Sequence, residues 1–216
     1  MVKIGVFDSG VGGQAFVNAI GQAFPDAEIL YETDRENLPY GGKSPERLVE
    51  LAVPKLKKLE TDGCSVIVVA CNTVSTTIIA EVRKAIKVSV VAVEPMIKPA
   101  CEQTKTKKIA VCATPATLKS SRYKQLIELY AGGVKIFEPN CSDWTMMIEN
   151  KTQNIRNIEA DIIKPLKAGV DTIVLACTHY HWIEQEIKQI ANKFGATVIQ
   201  PEEAVVRRLK SVLSQI

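Results

Sequence analysis

Short runs rich in β-branched residues alternate along the chain with longer stretches whose apolar positions recur every three or four residues, and turn residues separate the two kinds. That alternation predicts βα units around parallel sheets, an α/β fold. Strands are predicted over Val2–Phe7, Ala27–Tyr31, Ser65–Ala70, Ser89–Val93, Lys108–Cys112, Val134–Phe137, Thr172–Ala176 and Ala196–Ile199. Between them Leu48, Leu51, Leu56 and Leu59, then Ile155, Ile158 and Ile162, then Ile183, Ile187, Ile190 and Phe194 follow helical stripes, read as packing faces. Pro54 and Pro165 fall inside two of these stripes and are expected to kink or end them.

The eight strands fall into two sets of four. Ile4 maps onto Ile109 at an offset of 105, and Leu30 onto Ile136 and Cys71 onto Cys177 at 106. The run Val66-Ile67-Val68-Val69-Ala70-Cys71 is echoed by Thr172-Ile173-Val174-Leu175-Ala176-Cys177. The chain therefore reads as a duplication: two pseudo-symmetric parallel-sheet α/β domains with the active site in the cleft between them. The expected division is residues 1–95 with 201–216 for the first domain and 96–200 for the second, the last helix returning after Gln200-Pro201.

Composition narrows the class. At 216 residues and 46% hydrophobic the chain has material for a full core, and disordered or low-complexity readings fail. A net charge of +3, with no block of five like charges, gives no reason to expect nucleic acid as a partner. Lys105–Lys108 reads as a solvated turn before a strand. The start of the chain carries no basic region followed by a long apolar one, and no run approaches the roughly 18 apolar residues of a membrane span. A cytoplasmic protein with no membrane partner is expected, its six cysteines free for want of a secretory signal and none of them in a Cys-x-x-Cys pair.

Ligands of open parallel sheets sit beyond the carboxyl ends of the strands, and the residues there are polar. Asp8-Ser9-Gly10-Val11-Gly12-Gly13 follows the first strand, Cys71-Asn72-Thr73 the third, Ala113-Thr114-Pro115-Ala116-Thr117 the fifth and Cys177-Thr178-His179-Tyr180 the seventh. If the halves face each other about their pseudo-twofold, Cys71 and Cys177 flank one ligand. Two thiols on opposite sides of one carbon suit proton abstraction from an amino acid and return to the other face, each being base in one direction and acid in the other. Both are expected to precede a helix, where the dipole favours thiolate. Asp8 can bind an ammonium or pass a proton beside Cys71, and His179 can pass one beside Cys177. Other readings stand next to these. Asn72, Thr73 and Thr114 are also good helix N-caps. Ser44 followed by Pro45 starts a helix in the usual way. The glycine-rich turn after Asp8 fits neither common nucleotide-binding pattern, its glycines instead letting the backbone approach a small carboxylate. A zinc site on Cys71, Cys177 and His179 lacks the close ligand pairs typical of structural zinc. Cys64, Cys101, Cys112 and Cys141 read as core fillers.

These segments, together with Leu38-Pro39-Tyr40-Gly41-Gly42-Lys43-Ser44 and Glu94-Pro95, resemble those of the glutamate racemases, within the aspartate/glutamate racemase family, over residues 2 to about 205. The resemblance implies cofactor-independent two-base interconversion of L- and D-glutamate, supplying D-glutamate for peptidoglycan, and usually a homodimer. By position it implies that Cys71 and Cys177 are the catalytic pair, Cys71 acting on the D form and Cys177 on the L form. It further implies that Asp8, Ser9, Tyr40, Gly41, Asn72, Thr73, Thr114, Thr178 and His179 bind substrate, and that an acid near the site falls on Glu149. The chain departs from the family pattern at Cys141-Ser142-Asp143-Trp144-Thr145-Met146-Met147-Ile148, where a Cys-Pro and a Phe-Val-Pro-Leu-Val-like run are usual, and at Ala176, His181 and Gln200. Racemisation of aspartate or another acidic amino acid, or a member that binds an amino acid without turnover, are the alternative functions.

Overall fold

The computed structural model of the chain describes residues 1–152 and 155–215, residues 155–157 by their backbone alone. It divides into two compact units, Met1–Glu94 with Pro201–Ile216, and Pro95–Gln200. The first contains β1 (Lys3–Asp8), α1 (Gln14–Ala23), β2 (Glu28–Thr33), α2 (Pro45–Thr61), β3 (Val66–Val69), α3 (Asn72–Thr77), α4 (Ile79–Ala85) and β4 (Ser89–Ala92). The second contains α5 (Ile97–Gln103), β5 (Lys108–Ala113), α6 (Pro115–Lys119), α7 (Ser121–Tyr130), β6 (Lys135–Phe137), α8 (Trp144–Glu149), α9 (Ile155–Lys167), β7 (Thr172–Ala176), α10 (Glu184–Asn192) and β8 (Thr197–Ile199). The last helix, α11 (Glu202–Leu213), belongs to the first unit.

Both sheets are parallel and share one strand order, β2-β1-β3-β4 and β6-β5-β7-β8. In each, the first strand has its next strand on one side and the third on the other, so the connections diverge between β1 and β3, and between β5 and β7. That divergence leaves the carboxyl ends of these strands uncovered by a crossover, the usual ligand position in such sheets. The register brings Phe7 opposite Val69 and Ala113 opposite Ala176. Ser9, just after Asp8, and Cys71 therefore emerge side by side in one unit, and Thr114 and Cys177 in the other. β1 runs one residue further than its apolar run predicts, because Asp8 still pairs with Thr33.

Alternation along β1 and β3 sends successive side chains to opposite faces. Phe7, Ile67 and Val69 meet Leu48, Ala52, Leu56 and Leu59 of α2. Ile4, Val6, Val66 and Val68 meet Phe16 and Ile20 of α1 and Val205, Leu209 and Val212 of α11. Each fully buried aliphatic side chain contributes about 1.5–3 kcal/mol. Leu51 lies at the margin of the α2 face, partly buried. In α9 the side chain of Ile155 lies outside the described residues, while Ile158 and Ile162 are buried. Neither proline ends its helix: α2 continues through Pro54 and α9 through Pro165. A proline removes one backbone hydrogen bond, and the apolar residues buried on either side, Ala52 and Leu56 in one helix and Ile162 and Leu166 in the other, hold the chain in place. Among the described residues no helix is long and apolar enough to cross a membrane.

The basic stretch before β5 is a turn anchored on Asp171, the residue preceding β7. Asp171 accepts from Thr104 Oγ1 at 2.5 Å, from the Lys105 N–H at 2.7 Å and from the Thr106 N–H at 2.8 Å, tying β5 to β7. Burial pushes its carboxyl up, but the hydrogen bonds from Thr104, Thr106, Lys105 and Thr172 outweigh it and hold the group below the ordinary aspartate value. A carboxyl lowered in the folded state stabilises above its unfolded pKa of about 3.9, and that contribution is lost as pH falls through the folded value. Asp171→Asn is expected to cost the second unit about 1 kcal/mol at neutral pH, the low end for a partly solvated charge. It should also flatten the loss of stability below about pH 5. Denaturant unfolding as a function of pH checks both.

Candidate active site

In the first unit the site begins with a buried charge. Asp8 is fully buried, and Oδ2 accepts from the Gly13 N–H at 2.8 Å and the Gly10 N–H at 3.3 Å. The glycine-rich turn thus wraps its own carboxylate. An added Cβ on Gly13 would sit 2.6 Å from Asp8 Cβ and 2.8 Å from Tyr31 Oη, so glycine is required there by Asp8 and Tyr31. This differs from the expectation that the glycines serve to admit a ligand carboxylate. Tyr31 closes the turn by donating to the Gly10 carbonyl at 2.8 Å.

Cys71 is the N-cap of α3, and Ser9 Oγ lies 3.5 Å from its sulfur. Asn72 and Thr73 are the first two residues of that helix rather than caps. The Asn72 side chain is buried, and neither Oδ1 nor Nδ2 has a hydrogen-bond partner among the described residues. An unpaired buried amide costs about 1–3 kcal/mol, a cost that a ligand with complementary polar atoms relieves. Tyr40 and Gly41 lie in the 3-10 turn Tyr40–Gly42, Tyr40 buried and Gly41 half-buried. Ser44 and Pro45 start α2 as expected, Ser44 Oγ accepting from the Arg47 N–H. The Tyr40 hydroxyl donates to Asp34 at 2.7 Å. Burial, with the Asp34 hydrogen bond next and the nearby Asp34, Cys71 and Asp8 charges after it, pushes the phenol well above its ordinary value, so it stays protonated.

In the second unit Cys177 follows β7. Its sulfur lies 3.9 Å from His179 Nδ1, and His179 Nε2 lies 2.7 Å from Glu149 Oε1. Both His179 and Glu149 are buried, at 2% and 5% side-chain exposure. With the Glu149 carboxylate accepting the Nε2 proton, Nδ1 of a neutral ring is left as an acceptor facing the thiol. This is the orienting relation that lets an imidazole take a proton from a nucleophile. The helix expected after Cys177 begins as a 3-10 helix and not an α-helix. Thr178–Ile183 is 3-10, with Tyr180 buried edge-on to Trp144 at 5.0 Å, and α10 starts only at Glu184. Thr178 is buried at its start. Thr114 does cap a helix, accepting from the Thr117 N–H at 3.3 Å.

Two polar groups escaped the sequence reading. Asp34 holds Tyr40, six residues further on. Thr145 Oγ1 lies 3.8 Å from Cys177 Sγ; it stands one helical turn before Glu149 on α8, a spacing that puts the two on one face. The remaining cysteines are buried and free. Burial raises the thiols of Cys64, Cys101 and Cys141, and a hydrogen bond with Cys112 adds to it at Cys141. Among the described residues no group of three His, Cys, Asp or Glu side chains is arranged to hold a metal ion.

Comparison with known proteins matches residues 14–209 to the Asp/Glu/hydantoin racemase family. A glutamate racemase of Herpetosiphon aurantiacus is 38% identical over 215 residues, 98% of this chain and 84% of that protein. A crystal structure of Escherichia coli glutamate racemase in complex with L-glutamate and the activator UDP-MurNAc-ala superposes with a TM-score of 0.90 at 30% identity, covering 99% of this chain and 82% of that one. The glutamate racemase of Aquifex pyrophilus superposes at 0.76 with 33% identity, over 97% and 83% of the two chains.

The Gly13 contact yields a direct test. Gly13→Ala is expected to displace Asp8 and Tyr31 and to lower stability by about 1–3 kcal/mol, read by thermal unfolding. Tyr31→Phe, which removes the hydroxyl 2.8 Å from that Cβ, should recover part of that loss.

Proposed function

Because the chain belongs to the Asp/Glu/hydantoin racemase family, we propose that it interconverts L- and D-glutamate, with Cys71 and Cys177 as the two acid/base groups serving one α-carbon from opposite sides. The observation that carries this reading is the placing of a reduced thiol directly beyond the switch point of each sheet, Cys71 after β3 and Cys177 after β7.

One thiolate removes the α-proton, the electron pair is left at the α-carbon, and the opposite thiol returns a proton to the other face. The first sulfur ends as thiol and the second as thiolate, so the reverse reaction starts ready. Both proton transfers are served by the chain's own groups, which is the basis for a cofactor-independent reaction. On the Cys177 side His179 takes up and returns the thiol proton, with Glu149 fixing the ring and stabilising it when charged. On the Cys71 side the buried Asp8 carboxylate offers a partner for the substrate ammonium, and Ser9 lies against the sulfur. The unpaired Asn72 amide, with the N–H groups at the start of α3, suits a substrate carboxylate. Tyr40, Gly41, Thr73, Thr114 and Thr178 complete the proposed binding set. The same reading extends to a homodimer acting in the cytoplasm and supplying D-glutamate for peptidoglycan.

Proton NMR of purified protein in heavy water, with L- and D-glutamate supplied separately, tests this. The α-proton signal of each should wash out as the other enantiomer appears. Washout from aspartate but not glutamate would overturn the substrate, and washout from neither, with the thiols shown to be reduced, would overturn the reaction.

A further inference from the structure

Each catalytic-candidate sulfur has a hydroxyl beside it, and the two hydroxyls come from different places in the repeat. Ser9, 3.5 Å from Cys71 Sγ, is the residue that follows β1. Its counterpart in the second unit by the repeat offset is Thr114, which follows β5 and turns its hydroxyl to Thr117 Oγ1 at 3.1 Å. The hydroxyl 3.8 Å from Cys177 Sγ belongs instead to Thr145 of α8, in the stretch where the first unit has its 3-10 turns and Tyr40. The repeat therefore does not account for a hydroxyl at Cys177.

The surroundings of Thr145 show what it can do. Tyr180 Oη donates its proton to the Cys141 carbonyl at 3.1 Å, and Thr145 is near enough to that phenol to act against the burial that raises it. The phenol oxygen is left as an acceptor, so the single Thr145 proton has two acceptors within reach: that oxygen always, and the sulfur when Cys177 is thiolate. Resting on the two-thiol reading above, we propose that Thr145 is a positioning residue for proton transfer at Cys177, its hydroxyl turning onto the sulfur in the thiolate state and back onto Tyr180 in the thiol state. Thr145 keeps its proton throughout. When Cys177 acts as the base, its own proton has gone to His179 and the one that arrives comes from the substrate; when it acts as the acid, its proton goes to the α-carbon. The groups that bear on this sulfur are His179, with Glu149 behind it, and Tyr180 and Cys141, with Cys112 and Asp161 beyond Cys141. Replacing Thr145 changes the charge of none of them.

The test compares Thr145→Val and Thr145→Ser in the full chain. Alkylation of Cys177 by iodoacetamide is followed by peptide mass spectrometry across pH, with α-proton exchange from each glutamate enantiomer measured in parallel. A lost hydrogen bond to a charged acceptor should slow Cys177 alkylation about three- to tenfold in Thr145→Val at a fixed pH below its midpoint. Exchange should slow comparably for the enantiomer most affected by Cys177→Ser, with Cys71 alkylation unchanged. Thr145→Ser should restore wild-type behaviour, and Thr145→Ala should reproduce the valine effect if valine disturbs the fold. Wild-type alkylation profiles in both valine and alanine variants, or equal shifts in the serine and valine variants, would overturn the proposal. A wild type that exchanges neither enantiomer would overturn the racemase reading instead, and the alkylation profiles would still decide the role of Thr145.

Discussion

Parallel pairing of β1 with β3, and of β5 with β7, fixes where the chemistry can stand. Backbone groups buried in a sheet must be paired, so these strands cannot slide, and the residues just beyond them are delivered to fixed positions. Asp8 shows how far that constraint reaches. Its ladder position buries a carboxylate completely, an arrangement that is costly unless the charge is hydrogen-bonded. The Gly13 and Gly10 N–H groups meet that need, and their closeness leaves no room for a side chain at Gly13. One buried charge thus accounts for the turn after β1 and for the tyrosine that closes it.

The duplicated frame carries chemistry that is not duplicated. Cys71 has a hydroxyl beside it and a buried carboxylate nearby, whereas Cys177 faces an imidazole oriented by a carboxylate. On the Cys177 side the candidate proton partner is an imidazole, which titrates near neutral pH; on the Cys71 side it is the Asp8 carboxyl, a much stronger acid in its ordinary state. The two proposed proton transfers are therefore chemically unlike, and the forward and reverse reactions need not respond alike to pH.

The strands were legible because runs such as Val66–Val69 are buried on both faces and so stay apolar at every position. The repeat was legible at Cys71 and Cys177 because both terminate such runs. Neither Pro54 nor Pro165 ends its helix, because tertiary packing on both sides of each outweighs one lost hydrogen bond. The contact of His179 with Glu149 spans 30 positions and joins a 3-10 turn to a short helix, neither with a periodic signature; only the family resemblance pointed to Glu149. Thr145 stayed hidden because α8 is too short for its face to be read. Asp34 stayed hidden because nothing in the sequence distinguishes an acid that binds a buried phenol from one in solvent.

The central claim is that two thiols divide one reaction, and the most direct measurement of it is α-proton washout in heavy water by Cys71→Ser and Cys177→Ser, each offered L- and D-glutamate separately. Crossed losses are expected, with Cys71→Ser impaired most on the D form and Cys177→Ser most on the L form. Equal loss from both enantiomers in both variants, or no loss in either, would contradict it.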